Sequence, residues 1–367
     1  MKLTCDKNEL ARIVGRVQNV VAAKSTLPIL ANILVETADK HARFVATDLE
    51  VGVEENLTCE IEKAGGITIP AKRLGEITRE LPEGRVKIEA SDDGRVTISA
   101  GSVTYKIFGM AKDEFPPIPE VQGESEISLP AGDLKKMIQK TIFAVSTDVT
   151  RYTLNGVYWW MKAGELRLVA TDGHRLCMML HRLKKKREGE IGCIVPSKAL
   201  NEMVRLLEDG AEGDVRIAFA KSHLLAKIGG ATLLSRLIEG KFPNYEQVIP
   251  KESDRKATAS TEKFAKAVRR VALVTSDRAY PVKIELTKGK MTVSAQTPEV
   301  GEAKDELDVA FEGKDLTLAI NAKYLQDVLK SIEAPEVGIE AGGPSQPVLL
   351  RGVGDDDYQA VVMPMRV

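Results

Sequence analysis

Apolar residues recur along the chain in two rhythms. Leu10, Val14, Val17 and Val21 share one face at helical spacing, as do Leu134, Ile138, Thr141 and Val145, and Phe264, Val268 and Val271. A second helical set follows each of these: Leu74, Ile77 and Leu81, then Leu200, Val204 and Leu207, then Leu325, Val328 and Ile332. Between them the period is two, as in Arg95-Val96-Thr97-Ile98-Ser99 and Glu165-Leu166-Arg167-Leu168-Val169, and turn sequences such as Ser91-Asp92-Asp93-Gly94 and Lys288-Gly289-Lys290 close the runs. The order predicted is strand, helix, three strands, repeated six times. That is an α+β architecture of antiparallel sheets with amphipathic helices.

The pattern is also a repeat of the sequence itself. Ile69-Pro70-Ala71-Lys72-Arg73-Leu74 returns as Val195-Pro196-Ser197-Lys198-Ala199-Leu200 and as Ile320-Asn321-Ala322-Lys323-Tyr324-Leu325, with leucines 126 and 125 residues apart. Val45-Ala46-Thr47-Asp48 returns as Val169-Ala170-Thr171-Asp172 and, faintly, as Ser294-Ala295-Gln296-Thr297. Proline-bearing joints, Glu114-Phe115-Pro116-Pro117-Ile118-Pro119 and Lys241-Phe242-Pro243-Asn244-Tyr245, fall where this period places its boundaries. Three homologous domains are expected, at 1–124, 125–252 and 253–367, a division that 367 residues accommodate.

The opposite helix faces carry charge. Two residues after the anchors Leu10, Leu134 and Phe264 stand Arg12, Lys136 and Lys266, and six after stand Arg16, Lys140 and Arg270. Two residues before Leu74, Leu200 and Leu325 stand Lys72, Lys198 and Lys323, and five after stand Arg79, Arg205 and Lys330; Arg73 adds to the first of these helices. These offsets lie roughly 140–240° from the anchors, away from each core. If an exposed position is basic about a quarter of the time, three-way agreement arises roughly once in 60 columns, and here it arises four times among on the order of ten. Net charge is only −1, from 52 basic and 53 acidic residues. With the twelve column residues set aside the remainder is strongly acidic, the pattern of a body that admits a polyanion on one face only.

Geometry limits how such a face is used. Six helices side by side at about 10 Å close a bore of roughly 9 Å, too narrow for a duplex, whereas twelve leave roughly 28 Å. Two copies of the chain, head to tail, satisfy that requirement.

Composition excludes several other classes. With 43% hydrophobic and 29% charged residues the chain reads as globular, and no apolar run reaches the roughly 20 residues of a membrane-spanning helix. The start Met1-Lys2-Leu3-Thr4-Cys5 lacks an apolar signal core, so a cytoplasmic location is expected. Cys5, Cys59, Cys177 and Cys193 stand far apart, as packed reduced thiols rather than a disulfide frame or metal site. No nucleotide loop, zinc-protease motif or nucleophile elbow is present. His174, in Asp172-Gly173-His174, reads as a turn residue; the competing reading is a hydrolase or transferase with its site near Asp172 and His174. Lys184-Lys185-Lys186-Arg187 reads as a solvated loop. The apolar ending Val361-Val362-Met363-Pro364-Met365 reads as a strand lining a slot with Leu176, Pro243 and Val248, with His174 and Arg175 at its margin.

The threefold repeat, with Thr26-Leu27-Pro28-Ile29-Leu30, Ala170-Thr171-Asp172-Gly173-His174-Arg175-Leu176, Phe242-Pro243-Asn244-Tyr245 and Val361-Val362-Met363-Pro364-Met365-Arg366, resembles the β subunit of bacterial DNA polymerase III, the sliding clamp, over essentially the whole chain. The resemblance implies a DNA-clamp fold, with helices lining a central pore and sheets outside. It implies a non-catalytic homodimeric ring, without cofactor or metal, that slides on duplex DNA without reading sequence. Its implied partners are a clamp loader, replicative and translesion polymerases, and mismatch-repair and ligase-type proteins that carry a short clamp-binding peptide. The family's peptide pocket carries over onto Leu154, Thr171, Gly173, His174, Arg175, Leu176, Pro243, Val248, Val361, Val362, Met363, Pro364 and Met365. Lys24 aligns with a DNA-contacting arginine, and Tyr152 lies where the family meets a single-stranded template. The chain departs from a well-known member at Thr153, in place of a second tyrosine, and at Gln247, in place of an arginine.

Overall fold

The computed structural model describes residues 1–21, 27–119, 125–184, 189–208, 213–275, 281–298 and 300–365. The described residues hold six α-helices, α1 (Lys7–Val17), α2 (Ala71–Glu80), α3 (Ala131–Gln139), α4 (Ser197–Glu208), α5 (Thr261–Val271) and α6 (Ala322–Ser331). Among the described residues every strand pairing is antiparallel, and the fold is α+β. The described residues form two compact units, Met1–Lys135 with Lys198–Leu237, and Lys136–Ser197 with Ile238–Val367.

In the first unit a five-stranded sheet runs from Glu60–Lys63 through Lys2–Asp6, Arg85–Ala90 and Arg95–Ala100 to Val103–Phe108. An eight-stranded sheet runs from Ser125–Pro130 through Asp214–Phe219, His223–Ile228, Ala231–Arg236, Val51–Thr58, His41–Thr47 and Asn32–Ala38 to Gly66–Pro70. Helix α1 starts where the Asp6 carboxylate accepts the backbone N–H of Asn8 and Glu9, at 2.8 and 3.1 Å. Its stripe of Leu10, Ile13, Val14 and Val17 is fully buried, and α2 contributes Leu74 and Ile77 to the core.

The second unit holds a nine-stranded sheet, Glu190–Pro196, Gly156–Lys162, Glu165–Thr171, Arg175–Arg182, Tyr358–Val362, Val348–Gly352, Glu336–Ala341, Arg255–Ser260 and Ala310–Glu312, in that order. A four-stranded sheet runs Gly301–Asp308, Lys290–Thr297, Pro281–Thr287 and Leu316–Asn321. Ser260 caps α5 and Asn321 caps α6.

Strand, helix and three strands recur as the pattern predicts, with two additions. Glu60–Lys63 and Ala310–Glu312 are short edge strands, three or four residues long and too brief for periodicity to reveal. Helices α2 and α6 end one residue before Leu81 and Ile332, and two others stop earlier still. Helix α1 gives way to a tight turn at Gln18–Val20, and α3 ends at Gln139 because the Thr141 hydroxyl donates to the carbonyls of Met137 and Ile138, at 2.9 and 3.2 Å. Val21, Thr141 and Val145 therefore lie beyond the helices. All four cysteines are free, and burial pushes the thiols of Cys5, Cys177 and Cys193 up to about 12.

Candidate nucleic-acid face and peptide pocket

Three of the four basic columns are where the helical wheel puts them. Arg12, Lys136 and Lys266 have side chains 41%, 42% and 62% exposed. Lys72, Arg73, Lys198, Lys323, Arg79, Arg205 and Lys330 are also exposed. Several rest on carboxylates close by: Arg12 on Glu9 at 2.9 Å, Arg73 on Glu76 at 2.9 Å, Arg205 on Glu202 at 2.7 Å, Lys266 on Glu262 at 2.5 Å, and Lys198 on Asp48. Lys136 lies 2.6 Å from Glu333 and its hydrogen bond holds that carboxyl below the usual range. The pairs Arg73–Glu76, Lys136–Glu333 and Lys266–Glu262 have both partners exposed and contribute about 0–1 kcal/mol each, so a phosphate can displace the carboxylate there.

The fourth column corrects the expectation. Arg16 and Lys140 are buried, at 7% and 4% exposure, and only Arg270 is exposed, resting on Asp305. An offset of six residues returns to within about 60° of the residue at offset three, here Ile13, and so to the edge of the apolar stripe. Arg16 enters there because Glu55, itself 2% exposed, accepts from it at 2.9 Å and from Arg12 at 2.7 Å. Arg16 also donates to the carbonyl of Ile228 at 3.2 Å. Lys140 sits over the ring of Tyr358, 4.8 Å from its centroid, with Asp355 and Glu333 at 3.6 and 3.7 Å. Neither cation faces solvent. Tyr152 is 58% exposed on the turn Val149–Leu154. Lys24 lies outside the described residues, as does most of the run Lys184–Arg187.

The second unit gathers nine of the thirteen pocket candidates around one cavity of about 140 Å3: Leu154, Thr171, Gly173, Arg175, Leu176, Pro243, Val248, Val361 and Met363. A tight turn builds one wall. Thr171 donates to the Arg175 carbonyl at 2.7 Å, the Asp172 carboxylate accepts the N–H of His174 and Arg175, and Gly173 takes a φ of 89° that glycine adopts without strain. The opposite wall is the ending strand, with Val361 opposite Leu176 and the Met363 N–H donating to the His174 carbonyl at 2.8 Å. Asn244 and Tyr245 also line the cavity. They belong to the phrase Phe242-Pro243-Asn244-Tyr245, whose aromatic-proline turn was the available signal; Phe242 stacks on Tyr158 at 4.9 Å and anchors it.

Arg175 has a different task from the one its place at the margin suggests. Its guanidinium is buried, donating to Asp172 at 3.1 Å, Asp327 at 2.6 Å and the Phe143 carbonyl at 2.5 Å, and it stacks on Tyr324. It holds the turn, and three of its five N–H groups are committed to these partners. His174 is exposed and stacks its ring on Tyr324. Val362, on the alternate face of its strand, and Pro364 do not line the cavity. Met365 lies elsewhere, its N–H donating to Ala319 at 2.7 Å and its side chain lining another cavity, beside the four-stranded sheet.

Known proteins match this arrangement along its length. Residues 1–119, 128–244 and 246–366 match the N-terminal, central and C-terminal domains of the DNA polymerase III beta subunit. The beta sliding clamp of Caulobacter vibrioides is 36% identical and that of Pseudomonas putida 32%, each match covering 100% of both chains. The chain belongs to the DNA polymerase III beta-subunit family. Among solved structures, the sliding clamp of Bartonella birtlesii bound to griselimycin is 34% identical with a TM-score of 0.96, and the beta subunit of Pseudomonas aeruginosa 31% identical with a TM-score of 0.96, each match covering 100% of both chains. As a member of this clamp family the chain is a non-catalytic processivity factor for a DNA polymerase, and the hydrolase or transferase reading of Asp172 and His174 finds no support.

Proposed function

We propose that two copies of the chain close head to tail into a ring around duplex DNA and hold polymerases on it. The supporting observation is how the sheets are joined. In the first unit Val51–Thr58 pairs with Ala231–Arg236, Gly52 opposite Leu234, and in the second Arg175–Arg182 pairs with Tyr358–Val362, Leu176 opposite Val361. Each joint receives a cation from the preceding helix: Arg16 reaches Ile228, and Lys140 reaches Asp355. One period further along, the counterparts are Gly301–Asp308 and Val103–Phe108, and both end their sheets among the described residues. Arg270 rests on Asp305 as Arg16 rests on Glu55. A partner copy completes this third joint, with Val103 opposite Asp305 and Lys106 opposite Glu302, and covers Phe108, Leu273 and Val300, which are 72%, 79% and 59% exposed.

On this reading the three domains are 1–124, 125–252 and 253–367, and twelve helices turn Arg12, Lys72, Arg73, Arg79, Lys136, Lys198, Arg205, Lys266, Lys323 and Lys330 toward phosphates. Contacts across a bore wider than the duplex reach the backbone and leave base edges unread. Arg16 and Lys140 hold joints instead. Tyr152 offers a ring on which a single-stranded base stacks. The apolar cavity beside Met363 takes a short peptide with a glutamine and bulky hydrophobics, carried by the clamp loader, by replicative and translesion polymerases, and by mismatch-repair and ligase-type proteins. The work is done in the cytoplasm, on the nucleoid.

Retention on nicked circular DNA tests the ring. Protein that stays on the circle after loading, leaves when the circle is cut, and sediments at twice 40.1 kDa fits the reading. A monomer, or equal retention on linear DNA, overturns it.

A further inference from the structure

The joint in the first unit contains a second cavity, of about 160 Å3. It is built on the plan of the cavity beside Met363. Thr47 donates to the Val51 carbonyl as Thr171 does to that of Arg175, and Asp48 accepts the N–H of Glu50 and Val51 as Asp172 does those of His174 and Arg175. Leu234 stands opposite Gly52 as Val361 stands opposite Leu176, and Pro117 and Ile118 line this cavity as Asn244 and Tyr245 line the other.

Two features set it apart. Where the other turn has Gly173, this one has Leu49, whose φ of 78° is strained for a leucine and whose side chain is 55% exposed at the lip. Backbone strain of this kind clusters at ligand clamps and switch regions, and here it places an apolar side chain on the wall of a cavity. Where the other turn has His174, this one has the exposed carboxylate of Glu50, with His223 across the cavity.

We infer that this cavity is a second peptide site, which takes an extended segment bearing a leucine-sized side chain next to a lysine or arginine. The apolar side chain enters between Leu49, Val51, Ile118 and Leu234, and the cation meets Glu50. The Glu50 carboxylate, the one acidic side chain in the lining, attracts that cation and repels an acidic peptide, so the site selects a partner different from the one proposed beside Met363. The inference extends the peptide-docking reading of the other cavity and stands on its own observations.

Fluorescence anisotropy of the full chain tests it with two labelled hexapeptides, Ala-Lys-Leu-Lys-Leu-Ala and Ala-Glu-Leu-Glu-Leu-Ala. The lysine peptide is expected to bind at least about tenfold more tightly than the glutamate peptide. Leu49→Gly, which removes the lip and relieves the backbone, and Glu50→Lys, at an exposed position, should each weaken the lysine peptide by about tenfold. Neither should change binding of a Gln-Leu peptide beside Met363. Equal binding of the two hexapeptides, insensitivity to both substitutions, or competition between the lysine and Gln-Leu peptides overturns the inference. If the Gln-Leu peptide fails to bind while the lysine peptide behaves as expected, the reading of the Met363 cavity falls and the second site stands.

Discussion

The joints at Thr47–Asp48 and Thr171–Asp172 share a backbone and differ in nearly every side chain that fills it. Both close the same Asx turn, both continue a sheet across an antiparallel pairing, and both receive a basic residue from the helix before. In the first, that residue is Arg16 on the buried carboxylate of Glu55; in the second, Lys140 lies on the face of Tyr358. The first turn carries Leu49, Glu50 and Val51 where the second carries Gly173, His174 and Arg175. The ladder hydrogen bonds and the shared Thr–Asp pair fix the joint, so the three residues after the aspartate are free to differ between copies. The first joint became an ion-paired lock, and the second an apolar slot with its arginine turned inward.

Breaking the locks should separate the two copies most sharply. Glu55→Ala strands the buried Arg16 guanidinium and is expected to cost about 3–5 kcal/mol, read as a fall in denaturant midpoint. Tyr358→Leu keeps most of the apolar volume beside Lys140 and should cost less, about 1–2 kcal/mol for the lost ring face and the 2.7 Å bond to Ser331. Equal losses would show that the two locks are alike after all. In the second joint, Arg175→Ala leaves Asp327 without its partner and should cost about 3 kcal/mol while distorting the pocket, so peptide affinity and stability fall together.

The next effect is on binding alone. Met363→Ala should weaken a Gln-Leu peptide by about tenfold, roughly 1.4 kcal/mol, with the dimer unchanged by light scattering. Deleting Met363 to Val367 should abolish that binding. Unchanged affinity would move the pocket elsewhere.

Salt dependence distinguishes outward from inward cations. Replacing Arg12, Lys72, Lys136, Lys198 and Lys266 by alanine removes ten cations from a two-copy ring and should flatten the slope of log affinity for loaded DNA against log salt by up to about 9. Arg16→Ala should leave that slope where it is and lower stability instead. The smallest effect expected is that of Leu49→Gly on folding: relief of the strained φ is offset by glycine's greater freedom when unfolded, and the net gain should stay below about 1 kcal/mol in the same denaturant titration.

Much of the molecule was legible in the sequence because its signals are local. Helical and strand periods, the turn phrases and the interval of about 125 residues all lie within a few residues or a fixed offset. Helix geometry alone put three basic columns on exposed faces, and Leu154, Thr171, Pro243 and Val361, carried over from the family resemblance, line one cavity. The phrase Phe242-Pro243-Asn244-Tyr245 also holds Asn244 and Tyr245, which line the cavity although the resemblance carries over Pro243 alone from it.

What the sequence determined, then, is which residues form each element and which face of a helix meets water, since both follow from neighbours three or four positions away. Only the tertiary structure decided what happens at the edges of those faces. Arg16 turns inward because Glu55 and Ile228, 39 and 212 residues along the chain, are folded against it. Arg175 is committed to Asp327, 152 residues away, and Met365 to Ala319. A cation at the rim of an apolar stripe stays in water unless the core offers it partners, and a buried acceptor from a distant strand supplies them.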